Sequence, residues 1–206
     1  MPKTIKGIIF DFGGVFTSTA PRDKVLRRCE VELGLPRGRL LDVLFTGERW
    51  RAVSRGRISA EEYWRGVIDA LGGRVPVALE PFKRNPFAYE RLNRRMSALA
   101  RRLHRRYSTA LLSNATIYLD ALLTEKRLDT HFDVIVNSAR VGMRKPNPAI
   151  FALTLERLGL CAEECLLIDD KERNTGAAQT LGLQSVVFRS AADLGRQLTT
   201  LGMLGT

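Results

Sequence analysis

The sequence predicts an α/β protein with a doubly wound parallel sheet and a small helical cap inserted after the first strand. Short apolar runs with strand character alternate with segments of helical spacing along most of the chain. Strands that alternate with helices favour a parallel, Rossmann-type sheet with helices on both faces. The chain has 206 residues, which is enough for one such core and one inserted subdomain.

The first strand is predicted over residues 5–10, an apolar run that ends immediately before Asp11. Gly13 and Gly14 follow and supply a tight turn. Asp11 is therefore expected at the carboxyl end of a strand. Ligands of doubly wound sheets bind just beyond these ends, so Asp11 is a candidate functional residue.

The interval between residues 15 and 86 interrupts the alternation, because it contains helical patterns but no convincing buried strand. We predict a cap over residues 18–85 and an α/β core over residues 1–17 and 86–206. Thr19 is expected to cap a helix that begins near Pro21 and ends before Gly34. Ser59 and Glu62 have the spacing of a capping box at the start of another helix.

Further strands are predicted over residues 109–112, 132–136, 165–168 and 185–188. The cap is expected to select the substrate, because it would close over the carboxyl ends of these strands. Its candidate pocket-lining side chains are aromatic or basic: Trp50, Arg51, Arg55, Arg57, Tyr63 and Trp64.

The formal net charge is +11, which favours anionic partners such as a phosphorylated metabolite or a nucleic-acid backbone. Leu92, Met96, Leu99 and Leu103 form one apolar stripe, and the arginines between residues 88 and 106 lie mostly on the other faces. This pattern predicts an amphipathic surface helix with a solvated basic face. No aromatic platform or binding motif accompanies the charge, so we do not expect nucleic acid as a partner.

Composition also limits location and cofactor. No stretch approaches the roughly 20 apolar residues of a membrane span, and the first residues lack a signal-peptide pattern. We therefore expect a cytoplasmic protein without membrane contact. Cys29, Cys161 and Cys165 are odd in number and lack zinc-ligand spacing, so neither disulfides nor zinc is predicted. The sequence does not predict the oligomeric state.

Four short elements carry polar residues that could perform chemistry, although each has an ordinary structural explanation when taken alone. An aspartate followed by glycines and a strand-end serine are both common in α/β turns and caps. Two adjacent carboxylates at a strand end are less ordinary, because they repel each other and favour a bound cation. The elements are Asp11 with Gly13, Ser113 with Asn114, the loop residue Lys145, and Asp169 with Asp170.

In this order, the four elements resemble the signature of the haloacid dehalogenase superfamily over essentially the whole chain. The stretch of residues 141–146, followed by Ile168-Asp169-Asp170 and Asn174, is similar to one phosphatase branch. That branch contains sugar-1-phosphate phosphatases and the N-terminal phosphatase domain of soluble epoxide hydrolases. The resemblance implies a hydrolase that acts on a small phosphorylated metabolite.

The resemblance also implies a Mg²⁺ site, in which the ion lies between the nucleophile and the phosphate. Its protein ligands would be the Asp11 carboxylate, the Gly13 backbone carbonyl and Asp170, with Asp169 binding directly or through water. Magnesium prefers six oxygen ligands, of which one or two are usually carboxylates. This expectation fails if the two strand ends lie far apart, or if a basic side chain neutralises the carboxylates in place of an ion.

The remaining implied roles concern the phosphoryl group. Asp11 would act as the nucleophile and form an aspartyl phosphate that water then hydrolyses. Ser113 and the region of Asn114 would bind phosphoryl oxygens, and Lys145 would neutralise charge on the phosphate and Asp11.

The sequence departs from the family pattern at Gly13, where most of these phosphatases carry a second aspartate that serves as general acid and base. Three explanations remain open. Another group or a water replaces the acid, the substrate has a good leaving group, or the chain is catalytically weak.

Two other functions also remain open. A 2-haloacid dehalogenase would use the same aspartate, Ser-Asn pair and lysine, but paired carboxylates would then place unneutralised charge beside the nucleophile. A weakly active or non-catalytic basic binding module is the other alternative, given the arginine-rich helix and the missing acid.

Overall fold

The computed structural model describes residues 4–204 and confirms the α/β fold class. A parallel five-stranded sheet has the order β5-β4-β1-β6-β7, and a separate antiparallel pair joins β2 to β3. The strands are β1 (Gly7–Phe10), β2 (Thr17–Ser18), β3 (Arg91–Leu92), β4 (Ser108–Ser113), β5 (Val134–Asn137), β6 (Cys165–Asp169) and β7 (Gln184–Val187).

Helices connect the strands and cover both faces of the sheet. Among residues 4–204, three 3₁₀ segments supplement them, at Val77–Lys83, Asp129–His131 and Ala162–Glu164. The α-helices are α1 (Ala20–Leu33), α2 (Arg39–Phe45), α3 (Gly47–Val53), α4 (Ala60–Ala70), α5 (Arg94–His104), α6 (Tyr118–Glu125), α7 (Ser138–Val141), α8 (Pro148–Leu158), α9 (Glu172–Gln179) and α10 (Ala191–Thr200).

The central strand β1 distributes its side chains to two apolar cores. Ile8 and Phe10 pack with residues of α5, α6 and α10 on one face, while Ile9 packs with residues of α8 and α9 on the other. This alternation follows from the two-residue period of a strand. Because both faces are covered by helices, all four residues of β1 are buried, which accounts for its continuous apolar sequence.

The helical insertion between β2 and β3 has a third apolar cluster of its own, formed by residues between Leu26 and Ala88. The cluster holds α1 to α4 together independently of the sheet. Its last member lies beyond the predicted cap boundary at residue 85, and the boundaries themselves stay a prediction.

The antiparallel pair β2–β3 corrects one expectation. Thr17 pairs with Leu92 and Ser18 with Arg91, and Ser18 is exposed, so this short strand is not the buried strand that the sequence lacks in this interval. Strands of two residues are too short to show a period. The basic helix predicted from residue 88 begins instead at Arg94, because β3 precedes it and the Asn93 side chain accepts a hydrogen bond from the Met96 N–H.

The predicted caps differ in outcome. Ser59 accepts a hydrogen bond from the Glu62 N–H at the start of α4, as predicted. Thr19 does precede α1, which ends before Gly34 as expected, but its side chain makes no cap bond. Its hydroxyl donates instead to Asp23 at 3.2 Å.

Within residues 4–204, no helix is both long and apolar enough to cross a membrane.

Candidate active site

The parallel register brings three predicted site residues to one edge of the sheet. Phe10 of β1 lies opposite Leu111 of β4 and Ile168 of β6, so these strands end at the same level. Asp11 follows directly, and its N–H donates to the Ile168 carbonyl at 2.9 Å. The ends of β4 and β6 supply Ser113 and Asp169.

A cavity of about 350 Å³ opens at this edge, between the sheet and the helical insertion. Asp169 is the one predicted site residue that does not line this cavity, because its side chain is fully buried. The predicted site residues that line the cavity are Asp11, Gly13, Ser113, Asn114, Lys145 and Asp170.

The three carboxylates converge, with ligand atoms of Asp11, Asp169 and Asp170 all within 4.8 Å of one another. Lys145 lies among them: its Nζ is 2.9 Å from Asp11 Oδ1 and 2.6 Å from Asp169 Oδ2. The lysine therefore supplies one positive charge against three negative ones. It does not pair with Asp170, whose Oδ1 is buried with no hydrogen-bond partner in the described chain.

Asp169 already has a full set of donors. Its oxygens accept from Lys145 Nζ, from the Lys171 N–H at 2.9 Å and from Asn174 Nδ2 at 2.9 and 3.0 Å. Asp169 therefore holds Lys145 in position. The carboxylates that remain for a cation are Asp11 and Asp170.

Burial and ion pairing shift the pKa values of Asp11, Asp169 and Lys145. Desolvation raises the pKa of Asp11 to about 6, although Lys145 opposes the shift. Desolvation would likewise raise the pKa of Asp169, but Lys145 and the N–H donors around it lower the pKa of that carboxyl. Burial alone would lower the pKa of Lys145, yet the two carboxylates raise it, so the lysine stays charged.

The glycine turn after Asp11 permits a close approach by Asp170. Gly14 has φ +84°, and a Cβ there would collide with the Asp170 carboxylate. Only glycine satisfies both the backbone conformation and the contact. Gly13 differs, because a Cβ would meet only Phe87, at 3.7 Å, which is ordinary van der Waals contact.

The Asn114 side chain bonds the backbone of Lys145, and the predicted contact of the Asn114 region with phosphoryl oxygens stays a prediction. Its Oδ1 accepts from the Lys145 N–H at 2.8 Å, and its Nδ2 donates to the Lys145 carbonyl at 2.9 Å. The amide side chain is thereby committed to fixing the lysine backbone. The Ser113 hydroxyl, in contrast, lines the cavity and has no hydrogen-bond partner within the described residues.

The structure adds cavity residues that sequence patterns missed. Arg22 of α1 and Glu90 form an ion pair at 2.7 Å beside the cavity, and Thr17 donates to the same carboxylate. Arg144 also lines the cavity. These residues are far apart in sequence and belong to no local motif, so only the fold shows that they belong together.

The aromatic candidates from the insertion have separate outcomes. Trp50 lines the cavity, whereas Tyr63 and Trp64 pack in the apolar cluster of the insertion.

The fold and the site define a class of α/β proteins with a strand-end aspartate, a buried lysine and a carboxylate pair at the carboxyl edge of a parallel sheet. A family model described as haloacid dehalogenase-like hydrolase matches residues 5–182. The chain therefore belongs to the haloacid dehalogenase-like hydrolases.

Its relatives include phosphatases. The chain is 26% identical over 206 residues to D-ribitol-5-phosphate phosphatase from Bacteroides thetaiotaomicron, covering 96% of this chain and 98% of that protein. It is 27% identical over 210 residues to bifunctional epoxide hydrolase 2 from Rattus norvegicus, covering 92% and 37%. The chain spans 36–38% of the length of three curated relatives that it matches, this epoxide hydrolase among them.

The fold also matches solved structures. One is the HAD family enzyme BT-2542 from Bacteroides thetaiotaomicron in complex with magnesium and inorganic phosphate, with a TM-score of 0.71 and 20% identity. The match covers 90% of this chain and 94% of the other.

Proposed function

We propose that this hydrolase is a Mg²⁺-dependent phosphatase that hydrolyses a small phosphorylated metabolite through an aspartyl phosphate on Asp11. The observation that carries the proposal is the buried, unpartnered Oδ1 of Asp170 beside Asp11. Lys145 neutralises one charge of the three-carboxylate cluster by direct ion pairs, and two negative charges remain, which exposed Lys171 offsets only from beyond ion-pairing distance. A divalent cation matches that remainder.

The donor set fits magnesium. Asp11 and Asp170 would supply carboxylate oxygens, and Gly13, whose carbonyl is the third proposed ligand, lines the same cavity, so the ligands would be the hard oxygens that Mg²⁺ prefers. Asp169 would support the site through Lys145 or a water. When bound, the ion screens the repulsion between the nucleophile and the phosphoryl group.

The side chains of the cavity divide the remaining work. An Asp11 oxygen attacks phosphorus, and the bond to the leaving oxygen breaks with its electron pair. Lys145 holds Asp11 in place and offsets the growing charge, while the Ser113 hydroxyl donates to a phosphoryl oxygen. Water then attacks phosphorus and the P–O bond to Asp11 breaks, which gives inorganic phosphate, the Asp11 carboxylate and one proton; this proton balances the one that the departed oxygen takes up from solvent.

The helical insertion would act as the cap that limits access of water and selects the leaving group. Trp50 and Arg22 support this role, because they face the cavity from the insertion.

A dehalogenase is the weaker candidate because of Asp170. Carbon–halogen hydrolysis by an aspartate needs no cation, and an unpaired buried carboxylate beside the nucleophile would then only add repulsion.

The test is a panel of phosphomonoesters and acyl phosphates, assayed with Mg²⁺ and after chelation, for the wild-type chain and Asp11→Asn. We expect turnover with the ion, none after chelation, and none in the folded variant. Turnover by Asp11→Asn would contradict the nucleophile, and halide release from a 2-haloacid without metal would favour the dehalogenase.

A further inference from the structure

Arg144 occupies the cavity without a partner. It precedes Lys145 in the loop before α8 and lines the cavity. Its Nε is shielded from solvent and unbonded, and within residues 4–204 its guanidinium has neither a hydrogen bond nor an ion pair. Buried polar groups are ordinarily satisfied, so this group indicates a missing acceptor.

The charged groups that act on Arg144 are mainly other arginines. Burial comes first, and then Arg55, Arg173 and Arg51 lower the pKa of Arg144 to about 10, while Glu48 opposes them. Glu48 lies 3.6 Å from Arg51, and both side chains are exposed. Arg144 and Arg173 line the cavity, whereas Arg51 and Arg55 act on Arg144 from outside that lining. We call these four arginines the guanidinium cluster.

The insertion and the core both contribute to this cluster, and a buried contact joins them there. Ser138 of the core donates its hydroxyl hydrogen to the Ser54 carbonyl of the insertion. Gly56 packs so closely on the Ala139 carbonyl that a Cβ would collide with it. Because Arg55 lies between the two contacting residues, the contact holds Arg55 beside the core loop.

The transferred phosphoryl group does not require this cluster. Lys145 and the Ser113 hydroxyl already lie at the cavity beside Asp11, where the proposed Mg²⁺ would also bind. Arg144 and Arg173 of the cluster are additional cationic donors that line the same cavity.

We propose that the guanidinium cluster binds a second phosphoryl group of the substrate, so that the natural substrate carries two phosphoryl groups, one transferred to Asp11 and one retained. This inference rests on the proposed phosphatase function and specifies its substrate class. A phosphoryl group is a dianion whose oxygens accept several donors at once, whereas a carboxylate carries a single charge. Planar guanidinium groups match phosphate in a two-point geometry.

The kinetic test compares an alkanediol monophosphate with the corresponding bisphosphate, so that the leaving group stays matched. We expect the wild type to prefer the bisphosphate. Arg144→Gln should lower kcat/KM for the bisphosphate about 10- to 100-fold, the range of one charge-assisted hydrogen bond, and affect the monophosphate much less. Arg173→Gln should give a smaller selective loss. Because Arg173 is exposed, this variant should fold normally and keeps the proposal testable if Arg144→Gln misfolds.

Arg65→Gln is the matched control, because Arg65 is exposed on α4 and is not among the residues that line the cavity. It should leave the preference unchanged. Equal losses on both substrates in Arg144→Gln would overturn the proposal, because the arginine would then serve the transferred phosphate. A wild-type preference for a phosphomonoester with a carboxylate in the second position would overturn it as well.

Binding separates this inference from the proposed function. Alkane diphosphonates of increasing chain length and the matched alkylphosphonates are not hydrolysed, and their affinities can be measured by calorimetry. Tighter binding of one diphosphonate, lost in Arg144→Gln, supports the second anion site even if no phosphate ester is turned over. Equal affinities for the two ligand series would reject the site while leaving the phosphatase proposal intact.

Discussion

Restoring a carboxylate at residue 13 tests why this site lacks the usual general acid. Gly13→Asp is sterically acceptable, because its Cβ would meet only Phe87, at 3.7 Å. Gly13 is also absent from the glycines with positive φ, so an L-residue fits the backbone. The new side chain would enter the cavity beside Asp11.

The electrostatics favour an acid at that position. Asp11, Asp169 and Asp170 lie together next to the turn, so their charges would raise the pKa of a fourth carboxyl and keep part of it protonated. General acid–base assistance is typically worth about 10²- to 10⁴-fold, or about 3–5 kcal/mol of barrier. Leaving groups that need no proton should gain little.

The assay is the ratio of kcat/KM for an alkyl phosphate to that for p-nitrophenyl phosphate. We expect Gly13→Asp to raise this ratio by about 10²-fold, the lower end of that range, since the rest of the site did not evolve around the new acid. Gly13→Asn is the control, because it has nearly the same shape but cannot donate the proton. An unchanged ratio in a folded Gly13→Asp protein would refute the reasoning and indicate that another group or a water already protonates the leaving oxygen.

Two further predictions concern the residues that support the site. Gly14→Ala should lose about 1–2 kcal/mol of unfolding free energy because of its backbone conformation. Its apparent Mg²⁺ affinity should also fall, because the new methyl group displaces the Asp170 carboxylate. The control Gly34→Ala, with φ +67° and open space around it, should lose stability without a change in metal dependence; equal metal dependence in both variants would contradict the prediction. Asn114→Ala removes both hydrogen bonds to the Lys145 backbone. The kcat for an aryl phosphate should fall about 10-fold or more, consistent with about 1–3 kcal/mol for leaving buried groups unpaired. The control Asn147→Ala loses a helix cap at the end of the same loop, and it should lower the melting temperature without changing kcat.

The sequence indicated the sheet and much of the site because both depend on short local patterns. Buried strands read as apolar runs, and a polar residue directly after such a run lies at the carboxyl end of the strand. This argument places Asp11, Ser113 and Asp169 at one edge without knowledge of any contact. Lys145 could be included only through the family resemblance, because its loop approaches the sheet from a distance in sequence.

The rest of the site depends on contacts that leave no local trace. The Arg22–Glu90 ion pair joins residues 68 positions apart. The Asn114 side chain holds the Lys145 backbone because two loops approach each other closely, and no local pattern predicts that approach. The start of the basic helix was predicted too early for a similar reason, since β3 exists only because β2 pairs with it.

The pairing of β2 with β3 also has a consequence for divergence within this architecture. The polypeptide departs from the sheet and comes back at adjacent points, so the intervening segment can be lengthened, shortened or exchanged without altering the strand ends that hold the nucleophile. Selection on recognition can therefore proceed almost independently of selection on bond cleavage. A graft of a foreign insertion between these two short strands should change the recognition contacts that the insertion makes, while the core keeps its chemistry and its own cavity residues.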